Sequence, residues 1–303
     1  MSATSANFGD LLDPTFQKIF HEQYDELPDM ISALYTIEGH NGRESQKWGQ
    51  VGTITDFEEF NGNVNYSDQN EGFDTIATFK EFTNGIQVER KLFDDDQYSI
   101  MNQKPRALAT SAQRTRQRHA AQMLNNAFSV DNTFATNSEG VALCSDSHTT
   151  TSGASTASGF DNKGTTALSA TAVAAARIAM VGYRGDQAER ISIKPDEIWI
   201  PNELYEEAHE IVTSLGKLDV ATNNTNVHKD QYKIVEWNYL TDTNNWFMAD
   251  SAMRKQSTHW VDRTPLEFAM AEDFDTMIAK WRAYMRYSAA YSDWRWIFGS
   301  QVS

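Results

Sequence analysis

From Met277 to Tyr291 every odd position is apolar or aromatic (Met277, Ala279, Trp281, Ala283, Met285, Tyr287, Ala289, Tyr291), while Lys280, Arg282, Arg286 and Ser288 stand between them. A period of two is the pattern of a strand that buries one face. A helix would line up 277, 281, 284, 285 and 288 instead, but Ser288 and the row of β-favouring aromatics select the strand. Strands in globular proteins usually run to about five or six residues, so one this long suits an element running across a subunit boundary. Beyond Asp293 the apolar face passes to Trp294, Trp296 and Phe298, which in a strand requires a bulge or a bend.

The charge distribution is equally uneven. The chain has 303 residues and a formal net charge of -16, yet Asp56 to Gln97 holds eleven acids against three bases, a net of -8. Tyr98 to Val130 then contains no acid and carries Lys104, Arg106, Arg114, Arg116 and Arg118. Pro105 suits a first helical turn, and Leu108, Ala112, Ala120, Met123, Leu124, Ala127 and Phe128 recur at three to four, so this segment is the strongest helix. The net acidity disfavours general nucleic-acid binding unless the bases are gathered in one place. The bases on this helix suit weak contact with nucleic acid, pairing with acids of a neighbouring chain, or solvation.

Elsewhere, Phe16, Ile19, Phe20 and Tyr24 recur at helical spacing behind Asp13 and Pro14, and the pattern fades after Pro28; this reads as an N-terminal arm with no core of its own. Asn61-Gly62 and Asn84-Gly85 are hairpin-type dipeptides, which predict a long two-stranded excursion between Val51 and Phe93. Residues 131–166, rich in Ser, Thr, Asn and Gly, read as a loop with at most a short strand. A helix follows at 167–181, stopped by Gly182, then a buried strand at 194–201, a helix at 202–215 and short strands at 231–238 and 245–249. A single cysteine, Cys144, allows no internal disulfide, so the fold relies on packing in a reducing compartment or on contacts between chains. No secretory signal or membrane-spanning run is visible, so a soluble protein made inside a cell is expected.

Catalytic constellations are missing: there is no Gly-x-Ser-x-Gly elbow, phosphate loop, dinucleotide fingerprint or His-Glu-x-x-His. Cys144 and His148 lack a second ligand pair, and Glu206 with His209 has the i, i+3 spacing of half a di-iron site without a second half. Asp94, Asp95 and Asp96 suit either a divalent cation or an acidic lead-in to the positive end of the following helix. Arg184-Gly185-Asp186 reads as a turn. No catalytic residue, cofactor or metal is therefore assigned.

The order of arm, acidic hairpin, long helix, Ser/Thr loop, small α/β unit and terminal strand resembles the major capsid proteins of tailed bacteriophages with the HK-97-like fold, an α+β class, and specifically the Mu-like major head subunit family. The resemblance covers nearly the whole chain. It is carried by QKIFHEQYDELP, NGIQVERKLFDDDQY, SAQRTRQRHAAQMLNNAF, GVALCSDSH followed by ALSATAV, IWIPNELYEEAHEIVTS, YLTDTNNWFMAD and SDWRWIFGS.

The resemblance implies an N-terminal arm at 1–48, an extended loop at 49–93, a peripheral domain at 94–185 with 263–303 that includes a spine helix at 103–128, and an axial domain at 186–262. It implies a structural, non-enzymatic protein of the virion, assembled in the host cytoplasm from hexamers and pentamers into an icosahedral shell around double-stranded DNA, with only weak, non-specific contact with that DNA and none with a membrane. No long scaffold-like segment precedes the arm, so either the scaffold is a separate protein or the chain has been processed; Met1 favours a separate scaffold, with portal and cement proteins as further partners. The inter-subunit contact candidates are Arg114, Arg116 and Arg118 on the helix, Glu58, Glu59, Asp94, Asp95 and Asp96 on the acidic side, and Trp294 and Trp296 near the C-terminus. The rival readings are a tail or cement protein and a cytoplasmic hydrolase built around His119.

Overall fold

The alternating C-terminal segment is a central strand, bonded along both edges within its own chain. A computed structural model describes residues 8–54, 56–57, 59–64, 66, 69–89, 91, 100–216, 225–273, 275–276 and 278–302. In order these form α1 (Phe8–Glu26), α2 (Ile31–Leu34), β1 (Thr36–Glu38), β2 (Ser45–Val51), β3 (Glu71–Thr78), β4 (Lys80–Glu89), α3 (Gln103–Asn125), β5 (Ala135–Asn137), β6 (Lys163–Gly164), α4 (Ala170–Val181), β7 (Glu197–Ile200), α5 (Tyr205–Thr213), β8 (Lys233–Glu236), β9 (Trp246–Ala249), α6 (Ser251–Ser257), β10 (Thr258–Asp273), β11 (Ile278–Tyr291) and β12 (Ile297–Ser300).

β11 lies between β10 and β4 in a sheet ordered β1-β10-β11-β4, antiparallel to both neighbours. Its odd residues from Ala279 to Ala289 are buried, as the period requires. The expected crossing of a subunit boundary gives way to partners of matching length inside the chain. β10 was hidden in the sequence by Pro265, which cannot donate to a ladder; the strand accommodates it in a stretch of shifted register between Asp262 and Glu267.

The dipeptide Asn84-Gly85 is a correction. It makes no turn but lies within β4, with Asn84 opposite Ala283 and Gly85 opposite Arg282. A Cβ on Gly85 would stand 2.9 Å from the Trp281 carbonyl oxygen, so glycine is needed for close approach. The excursion is therefore shorter than 49–93. It consists of β2 and β3, which pair antiparallel, and the connection between them that contains Asn61-Gly62, where Gly62 has φ +110°.

The arm also has a core contact that its sequence did not announce. Phe16 and Phe20 are fully buried, Phe16 against Trp281 at 4.8 Å between ring centroids and Phe20 stacked on Phe268 at 4.6 Å. α1 thus covers the inner face of the four-stranded sheet beside α3, whose buried side includes Leu108, Ala109, Ala112, Ala120, Ala121 and Leu124. The small residues in that row let the helix lie close to the sheet. Gln113 and Gln117 donate to the Pro28 carbonyl and fix the turn after α1.

A second sheet, ordered β6-β12-β9-β7-β8, packs with α4 and α5. Ser169 caps α4 by accepting from the Ala172 N–H at 3.1 Å. All four residues of β7 are buried, and Glu197 among them is paired with Arg254 at 3.0 Å. This sheet takes in 163–164 and 297–300, outside the expected 186–262 division, while Thr258–Asp262 goes to the other sheet. The change of apolar face after Asp293 is a turn that carries the chain from one sheet into the other. β2, β3 and β5 form a third, small sheet.

Replacing Phe16 by Ala removes the ring that α1 sets on Trp281 and is expected to lower subunit stability by about 3–5 kcal/mol. Urea unfolding of unassembled subunits measures this; an unchanged midpoint would mean that the arm is not docked.

Candidate assembly surfaces

The solvent side of α3 follows an i, i+4 ridge of Arg106, Thr110, Arg114 and Arg118, all exposed. No acidic side chain among the described residues pairs with the three arginines. Beside this ridge a cleft of about 310 Å³ runs between the helix and the sheet, bordered by Leu108, Ser111, Thr115, Phe82 and Leu266.

Arg116, placed by the sequence with these contact candidates, belongs to the interior. Its guanidinium makes two parallel bonds to the Asp262 carboxylate at 2.7 and 2.9 Å and lies over Trp260 and Tyr287. The fork geometry and the aromatic faces are what an arginine needs when it leaves water. Trp294 and Trp296 are likewise corrected, since both are buried inside the chain. Trp294 stacks on His148 at 4.2 Å, and the neighbouring Arg295 reaches Asp186 at 2.8 Å and Asp293 at 3.2 Å. The turn at Arg184-Gly185-Asp186 is pinned by that arginine.

The excursion presents the opposite chemistry. Asp56 and Glu59 are exposed, and so are Val51, Ile54, Phe57, Phe60, Val64 and Tyr66. Phe57 is 103% exposed and Tyr66 93%, so neither ring has cover among the described residues. Glu58, Asp94, Asp95 and Asp96 lie outside the described residues.

The root of the excursion, by contrast, is firmly held. Trp48 stacks on His259 at 4.7 Å and donates to Glu38, whose other oxygen bonds His259 Nδ1 at 2.6 Å. Gln50 donates to the Ser292 carbonyl, and the Asp186 N–H donates to Thr53 Oγ1 at 3.2 Å. Ser292 Oγ stands 3.2 Å from His259 Nε2, a serine–histidine–glutamate row. The Ser292 N–H donates to the Ser257 carbonyl and Trp48 covers the imidazole, so the row serves as a clamp between β1, β2 and β10. Sequence spacing could not reveal it, because Glu38 and His259 are 221 positions apart.

The remaining candidates are held by ordinary contacts. His148 bonds Glu139 at 3.1 Å, Asn162 at 3.2 Å and the Leu143 carbonyl, and burial pushes the Cys144 thiol far up. Among the described residues no group of three or more His, Cys, Asp or Glu could hold a metal ion. Glu206 and His209 lie on the exposed side of α5. His119 bonds the Tyr287 hydroxyl at 2.6 Å and packs on Phe82.

The apolar side chains of the excursion thus stand exposed above a root that the rest of the subunit holds in place. A family model described as phage capsid protein matches residues 72–299. The chain belongs to that family, and its fold is HK-97-like. The asymmetric unit of the bacteriophage PhiM1 mature capsid aligns at 8% identity with a TM-score of 0.56, over 91% of this chain and 88% of that one. The capsid of a native GTA particle aligns at 11% identity and 0.56, over 91% of both chains. The capsid of cyanophage P-SCSP1u aligns at 13% and 0.55, over 89% of this chain and 86% of that one. A search of curated proteins finds no match.

Two outcomes follow for the isolated subunit. Arg116→Ala leaves the Asp262 carboxylate without a cation, with the Trp260 indole N–H still donating to it, and is expected to cost about 3–5 kcal/mol in urea unfolding, whereas Arg114→Ala changes stability by no more than about 0.5 kcal/mol. Burial, then the charges of Arg118 and Lys80, hold His119 below its ordinary value of 6.5, so the folded state takes up fewer protons than the unfolded one. His119 therefore stabilises fully above pH 6.5 and less as the pH falls below it, and His119→Gln is expected to flatten the loss of stability between pH 7 and 5 in thermal melts.

Proposed function

We propose that this chain is the major head subunit of a tailed phage, assembling as hexamers and pentamers into an icosahedral shell around double-stranded DNA and performing no reaction of its own. The observation that carries this reading is surface that the subunit cannot cover. Its accessible area is 16,909 Å². A compact monomer of 34.2 kDa would expose roughly 13,000 Å². Among the described residues the excursion leaves Val51, Ile54, Phe57, Phe60, Val64 and Tyr66 in solvent, apolar surface that would be a liability for a free monomer.

In this reading the excursion of one subunit lies along α3 of the next. Phe57 and Phe60 enter the cleft beside the helix, while Asp56 and Glu59, with Glu58, meet Arg114 and Arg118 on its rim. Asp94, Asp95 and Asp96 add to the same acidic partner. The peripheral unit is the four-stranded sheet with α1 and α3; the axial unit is the five-stranded sheet with α4 and α5. The Mu-like assignment rests on the sequence motifs, and assembly in the host cytoplasm with scaffold, portal and cement partners on the resemblance those motifs carry. Packaged DNA touches this acidic wall weakly, which suits packing and release.

Electron micrographs of the purified wild-type chain test this reading: closed shells are expected, and tubes or isolated trimers would favour a tail or cement protein. Reversing Arg114 and Arg118 to Glu is expected to cut shell yield while the melting curve of the free subunit stays in place. Wild-type yields from that variant would remove the pairing of excursion and helix.

A further inference from the structure

The two helices of the five-stranded unit carry chemically opposite outer faces. α4 is apolar on nearly every side: Ala172, Val173, Ala176 and Met180 are buried, and Ala175, Ile178 and Val181 are left in solvent, Ile178 at 69% exposure. A helix apolar all round is at home only where both sides are covered. Next to Val181 a cleft of about 280 Å³ is bordered by Arg177, Lys194 and the exposed Val227. Arg177 and Lys194 have no acidic partner among the described residues.

α5 and the turn before it present the complement. Glu203, Glu206 and Glu210 are exposed around the half-exposed ring of Tyr205, and none of the three carboxylates has a basic partner among the described residues.

We propose that these two surfaces bind each other between copies of the chain: the face formed by Arg177, Ile178, Val181, Lys194 and Val227 docks on the Tyr205, Glu206 and Glu210 face of a second copy. Burial of Ile178, Val181 and Val227 supplies the attraction, and the charges set the partner and its orientation. Pairing α4 with α4 is disfavoured, since it would bring Arg177 and Lys194 against their own copies. Because the two faces differ, the contact is head to tail, the kind that closes into a ring when the rotation per copy allows it. The inference rests on the shell-forming reading and names the contact that would join the five-stranded units about an axis.

Charge reversal with rescue tests it. Arg177→Glu with Lys194→Glu is one variant, Glu206→Lys with Glu210→Lys the second, and all four changes in one chain the third. Each is checked for an unchanged circular dichroism melt, then scored for shells by electron microscopy and for smaller rings by native mass spectrometry. Each double reversal is expected to lower assembly by about ten-fold or more, and the four-fold variant to recover most of it. Double reversals that assemble like wild type, or a four-fold variant no better than either double, overturn the pairing. Rings that follow the rescue pattern without any wild-type shell would keep the pairing and remove the shell reading. Wild-type subunits that do not associate at all would remove both.

Discussion

The four-stranded sheet and the two helices on it are organised around the inner row of β11. Ala279, Trp281, Ala283, Met285 and Tyr287 are all buried, and the two aromatic rings of the row are met by other elements. Trp281 receives Phe16 from α1, and Tyr287 receives Phe82 from β4, Trp260 from β10 and the imidazole of His119 from α3. One strand thus fixes the positions of two helices and two neighbouring strands. Loss of a single large ring would be felt by all of them, because interiors this dense relax only in part.

A second constraint is electrostatic. The arginines that the sequence offers divide into two populations that no charge count distinguishes. Arg116, Arg254 and Arg295 are buried, each in contact with carboxylates and aromatic rings. Arg106, Arg114 and Arg118 remain in water. The buried pairs join elements far apart in sequence, such as β7 to α6 and the 186 turn to the C-terminal turn. The exposed ones are free to meet another chain.

The fold was legible where a periodic pattern outweighed local exceptions. The alternation in β11, the helical spacing of α3 and the Gly182 stop of α4 were each readable, and so was a resemblance carried by ordered motifs. Asn84-Gly85 misled because the same dipeptide that favours a turn also permits close backbone approach at Trp281. β10 was missed because Pro265 breaks its pattern, and the docking of α1 because four apolar positions cannot say whether their partner lies in the same chain. Arg116, Trp294 and Trp296 show the same limit at the candidate surface. A residue type fit for an interface is equally fit for a core, and only the partners, Asp262 and His148 among them, decide. The clamp of Glu38, His259 and Trp48 was out of reach for lack of any local signal.

In the proposed shell the excursion is held by a neighbouring subunit, whereas β11 is held by its own chain. Hydrogen exchange of free subunits and of assembled shells measures both at once. Fast exchange at 56, 57 and 59–64 is expected in free subunits, with strong protection of the same amides in shells and protection of 278–291 in both states. Protection of those excursion amides in the free subunit, or its absence in shells, would contradict this picture.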